Sequence, residues 1–247
     1  MSATEGLYFL GFRFDTESIE EAACGILAET RGDFKYVVTP NVQHVVKTFD
    51  NPAALQPLYE RAWRVFCDSR VLSRLARFFY GQSLPVLTGS DLTARLIARA
   101  AELHLKIAII GPTVASCAVL IEKYPGLDFM VHTPPMGFIK SEHEIRRCVE
   151  LVVDNPVSLI FLAVGMPQQE ILASRIADHP QARGVGLCIG ASIDFLTGKQ
   201  QRAPVWMQKA GLEWLHRLLS DPRRLASRYL IECPRILYLM CLRHGRA

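Results

Sequence analysis

The feature that most restricts this chain's fold is a repeated alternation between short apolar runs and longer stretches with helical spacing. Neighbouring parallel strands need a long connection, and a helix supplies it, so the alternation predicts parallel strands joined by crossover helices. The candidate strands are 7–10, 36–39, 64–67, 106–110, 128–131, 158–164 and 184–189. Helical segments fall near 17–29, 42–49, 71–80, 92–103, 113–123, 142–154 and 168–178. After its serine, the run SLIFLAV at 158–164 is apolar without a break, as a strand covered on both faces should be. The expected class is α/β, a mostly parallel sheet with helices on both faces. A chain of 247 residues can bury a full core, as one large domain or as a domain with an appendage.

From residue 202 the pattern changes. Positions 207, 210, 211, 214, 215 and 218 share one helix face and predict a single helix. Asp221-Pro222 then starts a second, since proline suits the first helical position, and Pro234 stops it before a closing apolar stretch flanked by Arg235, Arg243 and Arg246. Helices without strands suggest a core over 1–201 and a helical appendage over 202–247. Nine Lys/Arg stand against three acids in the appendage, leaving a net charge of about −2 for residues 1–201. A basic tail on a near-neutral body suits an anionic partner: phosphate, lipid head group or nucleic acid. The apolar closing helix fits an anionic membrane surface better than nucleic acid. A merely soluble basic surface, or a core or oligomer-contact helix, is the alternative.

Other classes find little support. The opening MSATEGLYFL has no basic segment before a long apolar stretch, so no signal peptide is expected, and no run is long enough to span a bilayer. Seven scattered cysteines without C-x-x-C spacing suit reduced, mostly buried thiols. There is no G-x-G-x-x-G, Walker A, G-x-S-x-G or D-x-D motif, and the seven histidines lack metal-ligand spacing. No metal or other cofactor is expected.

In open parallel sheets, ligands bind beyond the carboxyl ends of the strands. There the sequence places Thr39-Pro40-Asn41, Asp68, Gly111, the segment from Gly165 to Glu170, and the loop with Asp194. Asp68 directly follows a strand, where apolar surroundings raise a carboxylate's pKa and suit it to general-base work; alternatively it caps the next helix. Asn41 has the same two readings, ligand or cap. Gln168, Gln169 and Glu170 open a helix whose free amides suit an anion, or serve only as capping and dipole partners. Without a metal, a diphosphate would depend on arginines and helix N-termini.

Together these residues resemble the WecG/TagA/CpsF family of glycosyltransferases. The resemblance rests on T-P-N at 39–41, Asp68 after its strand, G-x-P-x-Q-E at 165–170, and the ordered block from Gly184 through Asp-Phe, Arg-Ala-Pro, Glu-Trp and Pro-Arg-Arg to Arg-Tyr. It implies a Rossmann-like core without metal and a C-terminal appendage that completes the site at the membrane. The implied reaction moves a sugar from a UDP donor, N-acetylmannosamine-type, its uronic acid or glucose, to a polyprenyl-diphosphate-linked acceptor with inversion. It also implies a cytoplasmic, peripheral location on the inner face of the bacterial plasma membrane. Carried over by position, Asp68 resembles the base; Thr39, Asn41 and Gln169 resemble polar groups of the substrate pocket, with Gly111 and Gly165 at the strand ends; Asp194 resembles a nucleotide ligand. Arg202, Arg217, Arg224 and Arg228 are the basic residues for diphosphate. Ser69 stands where a glycine is usual, Pro112 where a second glycine is common, and Ser227 where a basic residue is frequent. A non-catalytic nucleotide-binding peripheral membrane protein is the rival reading.

Overall fold

The computed structural model describes residues 6–111 and 114–244; Pro112, Arg246, the first five residues and the Arg243 side chain lie outside the described residues. The chain opens with a hairpin of β1 (Leu7–Phe9) and β2 (Phe12–Phe14), paired antiparallel with Leu7 opposite Phe14. The run at 7–10 therefore does not join the main sheet, contrary to expectation. The reason is local: Leu10 and Gly11 both take positive φ, 50° and 88°, and a two-residue turn of that kind reverses the chain. Phe9, Phe12 and Phe14 of the hairpin are buried.

Six parallel strands follow: β3 (Lys35–Val38), β4 (Arg64–Val65), β5 (Lys106–Ile110), β6 (Asp128–His132), β7 (Leu159–Leu162) and β8 (Val185–Cys188), in the spatial order β4-β3-β8-β7-β5-β6. Nine helices of the described residues punctuate this part of the chain: α1 (Ile19–Ala28), α2 (Val42–Asp50), α3 (Pro52–Glu60), α4 (Arg70–Tyr80), α5 (Gly89–Glu102), α6 (Val114–Lys123), α7 (Glu142–Val153), α8 (Gln168–Ala177) and α9 (Ser192–Leu196). The two-residue period of a strand divides its side chains between two cores. Tyr36, Val38, Ala108, Ile110, Ile160 and Leu162 pack on the side of α2, α7 and α8. Val37, Ile107, Ile109, Leu159 and Phe161 pack on the side of α1, α5 and α6. At roughly 1.5–3 kcal/mol for each large buried aliphatic residue, these two layers are the main favourable term in the fold. The α/β class, with parallel sheet and helices on both faces, is thus what the structure has.

Helix α3 was not expected from the sequence, because Pro57 lies inside it. Pro52 at its start fits a first turn, whose amides need no intrahelical partner.

The tail consists of α10 (Val205–Lys209), α11 (Glu213–Ser220), α12 (Pro222–Ala226), a wide π-type turn over Ser227–Glu232, and α13 (Arg235–His244). The single helix expected around 207–218 is broken at Gly211, which takes φ +69° and ends α10 before α11 begins. Pro222 does open α12, with Asp221 as its cap. The apolar stretch at 236–240 divides: Ile236, Leu239 and Met240 are buried in the core cluster that includes α2, while Leu237 and Tyr238 are exposed. Polar clasps accompany this packing. Arg74 of α4 donates to the carbonyls of Lys209 and Ala210 at 2.8 and 2.6 Å. Arg235 holds Asp50 through two bonds of 2.6 and 2.7 Å, and Gln43 and Lys47 both reach Glu232.

Candidate active site

A cavity of about 360 Å³ lies where this tail meets the strand ends of β3 and β4. The core supplies Asn41, Asp68, Ser69 and Arg70, and the tail supplies Glu213, Trp214, Arg217, Arg228 and Tyr229.

Local folding explains why Asp68 faces the cavity. Its amide bonds Pro40 O at 3.0 Å, and Leu87 N bonds Cys67 O at 3.0 Å, so the loops after β3 and β4 and the segment before α5 are sewn together beneath it. Ser69, not Asp68, caps α4, accepting from Leu72 N at 3.2 Å. The Asp68 carboxylate is therefore not the cap of α4. Burial pushes its pKa up from 3.8 to about 7; Arg217 opposes this, Glu213 reinforces it, a hydrogen bond from the Gly89 amide opposes it, and Asp91 reinforces it. Asp68 keeps some exposed surface and lines the cavity. A carboxylate poised near neutrality at a cavity wall can accept a proton from a bound hydroxyl.

Asn41 caps α2, its side chain accepting from Gln43 N at 3.0 Å, and it also lines the cavity. Arg217 lies over the Phe195 ring at 4.7 Å and donates to Glu213 at 2.6 Å. Burial would lower its pKa, but Glu213, Tyr229 and Asp68 outweigh that and hold it above the usual value, so it stays charged. Arg228 lies over Tyr229 at 5.2 Å, both in the π-type turn. The Nε atoms of Arg217 and Arg228 are buried without a hydrogen-bond partner.

The other residues singled out in the sequence do not line this cavity. Arg202 is bound to Asp91 at 2.7 Å and to Ser90 at 2.8 Å. Burial would raise Asp91, but the bonds from Arg202 and Thr88 hold it below the usual carboxylate range. Arg224 is paired with Asp221 at 2.6 Å, and Asp194 with Lys199 at 3.6 Å. The Thr39 hydroxyl reaches Cys188 O at 3.4 Å. Gln169 is 3% exposed and has both amide ends engaged, Nε2 on Glu170 and Oε1 receiving the Gly190 amide. Gly111, at φ +116°, brings the end of β5 within 2.7 Å of the Ala163 carbonyl, measured from where a Cβ would stand; Gly165 takes φ +77°. Sequence reasoning did not assign Glu213, Trp214, Arg70 or Tyr229 to the site. For Glu213 a signal existed, its four-residue spacing from Arg217 on a helix.

No three His, Cys, Asp or Glu side chains converge as metal ligands among the described residues, and no helix among them is long and apolar enough to cross a membrane.

A six-stranded parallel sheet with helices on both faces defines an α/β protein of the Rossmann-like type, with the acid–arginine cavity beyond the carboxyl ends of its strands, where such folds bind ligands. More particularly, the model of the glycosyl transferase WecG/TagA/CpsF family matches residues 7–247, and the chain belongs to that family. It is also similar to the N-acetylglucosaminyldiphosphoundecaprenol N-acetyl-beta-D-mannosaminyltransferase of Bacillus spizizenii, 28% identical over 166 residues, which is 65% of this chain and 61% of the relative. The matched region thus spans about three-fifths of the relative's length.

Proposed function

We propose that this protein transfers a sugar of the N-acetylmannosamine type from a UDP donor to a polyprenyl-diphosphate-linked acceptor, by direct displacement with inversion. The observation that carries the reading is the Asp68 carboxylate, poised near pH 7, sharing one cavity with Arg217 and Arg228. In the proposed step the acceptor hydroxyl attacks the anomeric carbon, the bond from that carbon to the UDP oxygen breaks, and Asp68 takes the hydroxyl proton. Arg217 and Arg228 stabilise the negative charge that collects on the departing diphosphate, more strongly in a shielded cavity than in water. No metal enters this step. The name of the Bacillus spizizenii relative supports the sugar and the lipid-linked acceptor.

The division of labour follows the chain: residues 1–201 supply the base, and residues 202–247 supply the arginines and the membrane contact. Leu219, Leu230 and Ile231 are exposed on the tail, with Arg223, Arg224 and Arg235 in the same segment. A surface of this composition suits reversible attachment to anionic lipid on the inner face of the plasma membrane, where the acceptor would be collected.

The test is product formation from a panel of UDP-sugars with a lipid-diphosphate-linked acceptor, in the presence of a chelator. Transfer from UDP-N-acetylmannosamine is expected at an undiminished rate. Transfer from none of the panel would overturn the function, and a strict metal requirement would overturn the arginine-only account of the diphosphate.

A further inference from the structure

The cavity holds a second carboxylate that the proposed step does not use. Glu213 opens α11 and lines the cavity with Asp68, and its Oε1 receives Arg217 at 2.6 Å, one turn away on the same helix. Arg217 is thereby fixed on two sides, by Glu213 at one terminal nitrogen and by the Phe195 ring against its face, while its Nε stays unmatched. The charged groups around Asp68 come from several elements: Arg217 and Glu213 from α11, Asp91 from α5, Arg70 from α4 and Arg228 from the π-type turn. Asp91 is already paired with Arg202, and Arg228 sits over Tyr229. Arg217 therefore has two carboxylates to choose between, and Glu213 has the hydrogen bond.

We infer that Glu213 is a positioning residue: it holds Arg217 in place for the leaving diphosphate and keeps that guanidinium from pairing with Asp68 while the cavity is empty. An arginine bound directly to Asp68 would weaken it as a base and would block the approach of a hydroxyl. With Arg217 already engaged by Glu213, its pull on Asp68 is weaker, and the negative charge beside Asp68 raises its pKa, which strengthens it as a base. When a diphosphate enters, it meets an arginine already held in place, which lowers the ordering cost of binding.

This inference rests on the transferase reading, and its test separates the two. In the full-length protein, the 13C resonance of the Asp68 carboxyl is titrated in wild type, Glu213→Gln and Glu213→Asp, a measurement that needs no substrate. Removing the charge lets Arg217 dominate, so the Glu213→Gln midpoint is expected to fall by about one pH unit, with Glu213→Asp restoring most of it. In turnover, the acidic limb of kcat/KM for Glu213→Gln moves down by the same amount, and its plateau falls about tenfold. An unchanged midpoint and limb in a folded Glu213→Gln protein, whatever its plateau, would overturn the positioning role. Failure of the transferase reading shows separately, as wild-type protein that turns over no UDP-sugar.

Discussion

Asp68 carries two consequences at the scale of a single residue, and they have opposite signs. Turnover needs the ionised carboxylate, so kcat/KM should rise with unit slope to a plateau through about pH 7, as read from initial rates between pH 5 and 9. Folding, in contrast, prefers the protonated form, because the folded pKa of about 7 lies above the ordinary 3.8. Between those values the folded state binds the proton and the unfolded state does not. The associated stability is fully present below about pH 4 and is lost as the pH rises through about 7. Asp68→Asn should therefore be more stable than wild type at pH 8 by on the order of 2 kcal/mol, after allowing for the solvent in the cavity, with the gap closing near pH 4. Urea melts at the two pH values check this. Asp68 was legible in the sequence because a carboxylate directly after an apolar strand stands out. Its place outside the cap was not, since the choice between Asp68 and Ser69 as cap depends on backbone geometry. Arg217 and Arg228 were also picked out, but Arg202 and Arg224 were indistinguishable from them by charge alone, as Asp194 was from Asp68. Their local partners, Asp91, Asp221 and Lys199, became visible only in three dimensions.

Among the elements, α13 shows which interactions hold the tail. It presents Ile236, Leu239 and Met240 to the core and one exposed ion pair, Arg235 with Asp50, to α2. Buried aliphatic area outweighs an exposed pair, which loses most of its attraction to solvent. Met240→Ala should cost about 2–5 kcal/mol in urea unfolding, and Asp50→Ala less than about 1 kcal/mol. The strands of the parallel sheet were readable because a buried strand must be apolar along its length. The hairpin at the start was misplaced because two short apolar runs look alike whether the chain turns back or crosses over. Leu10-Gly11 decides that, through two positive φ angles. Gly211 likewise divides a stretch whose apolar spacing read as one helix.

For the whole molecule, the cavity lies between residues 41–88 and the tail, so neither segment alone contains Asp68 together with Arg217 and Arg228. This was only half legible: charge separated the basic tail from the body, but the contacts that bring residues 213–229 over residues 41–70 are long-range. Several of the tail's apolar side chains are exposed. Leu219, Leu230 and Ile231 are 71%, 59% and 67% exposed, and glutamates there should leave folding within about 0.5 kcal/mol of wild type for each change. The triple variant should lose sedimentation with vesicles containing anionic lipid. Sedimentation equal to wild type would exclude this surface as the membrane contact.

Asp68→Asn tests the central claim most directly, when UDP-sugar turnover and UDP affinity are measured on the same protein. The account predicts that transfer falls by at least about 100-fold, the scale of a lost general base, while UDP binding by calorimetry stays within a few-fold of wild type. Turnover at the wild-type rate in Asp68→Asn would contradict it.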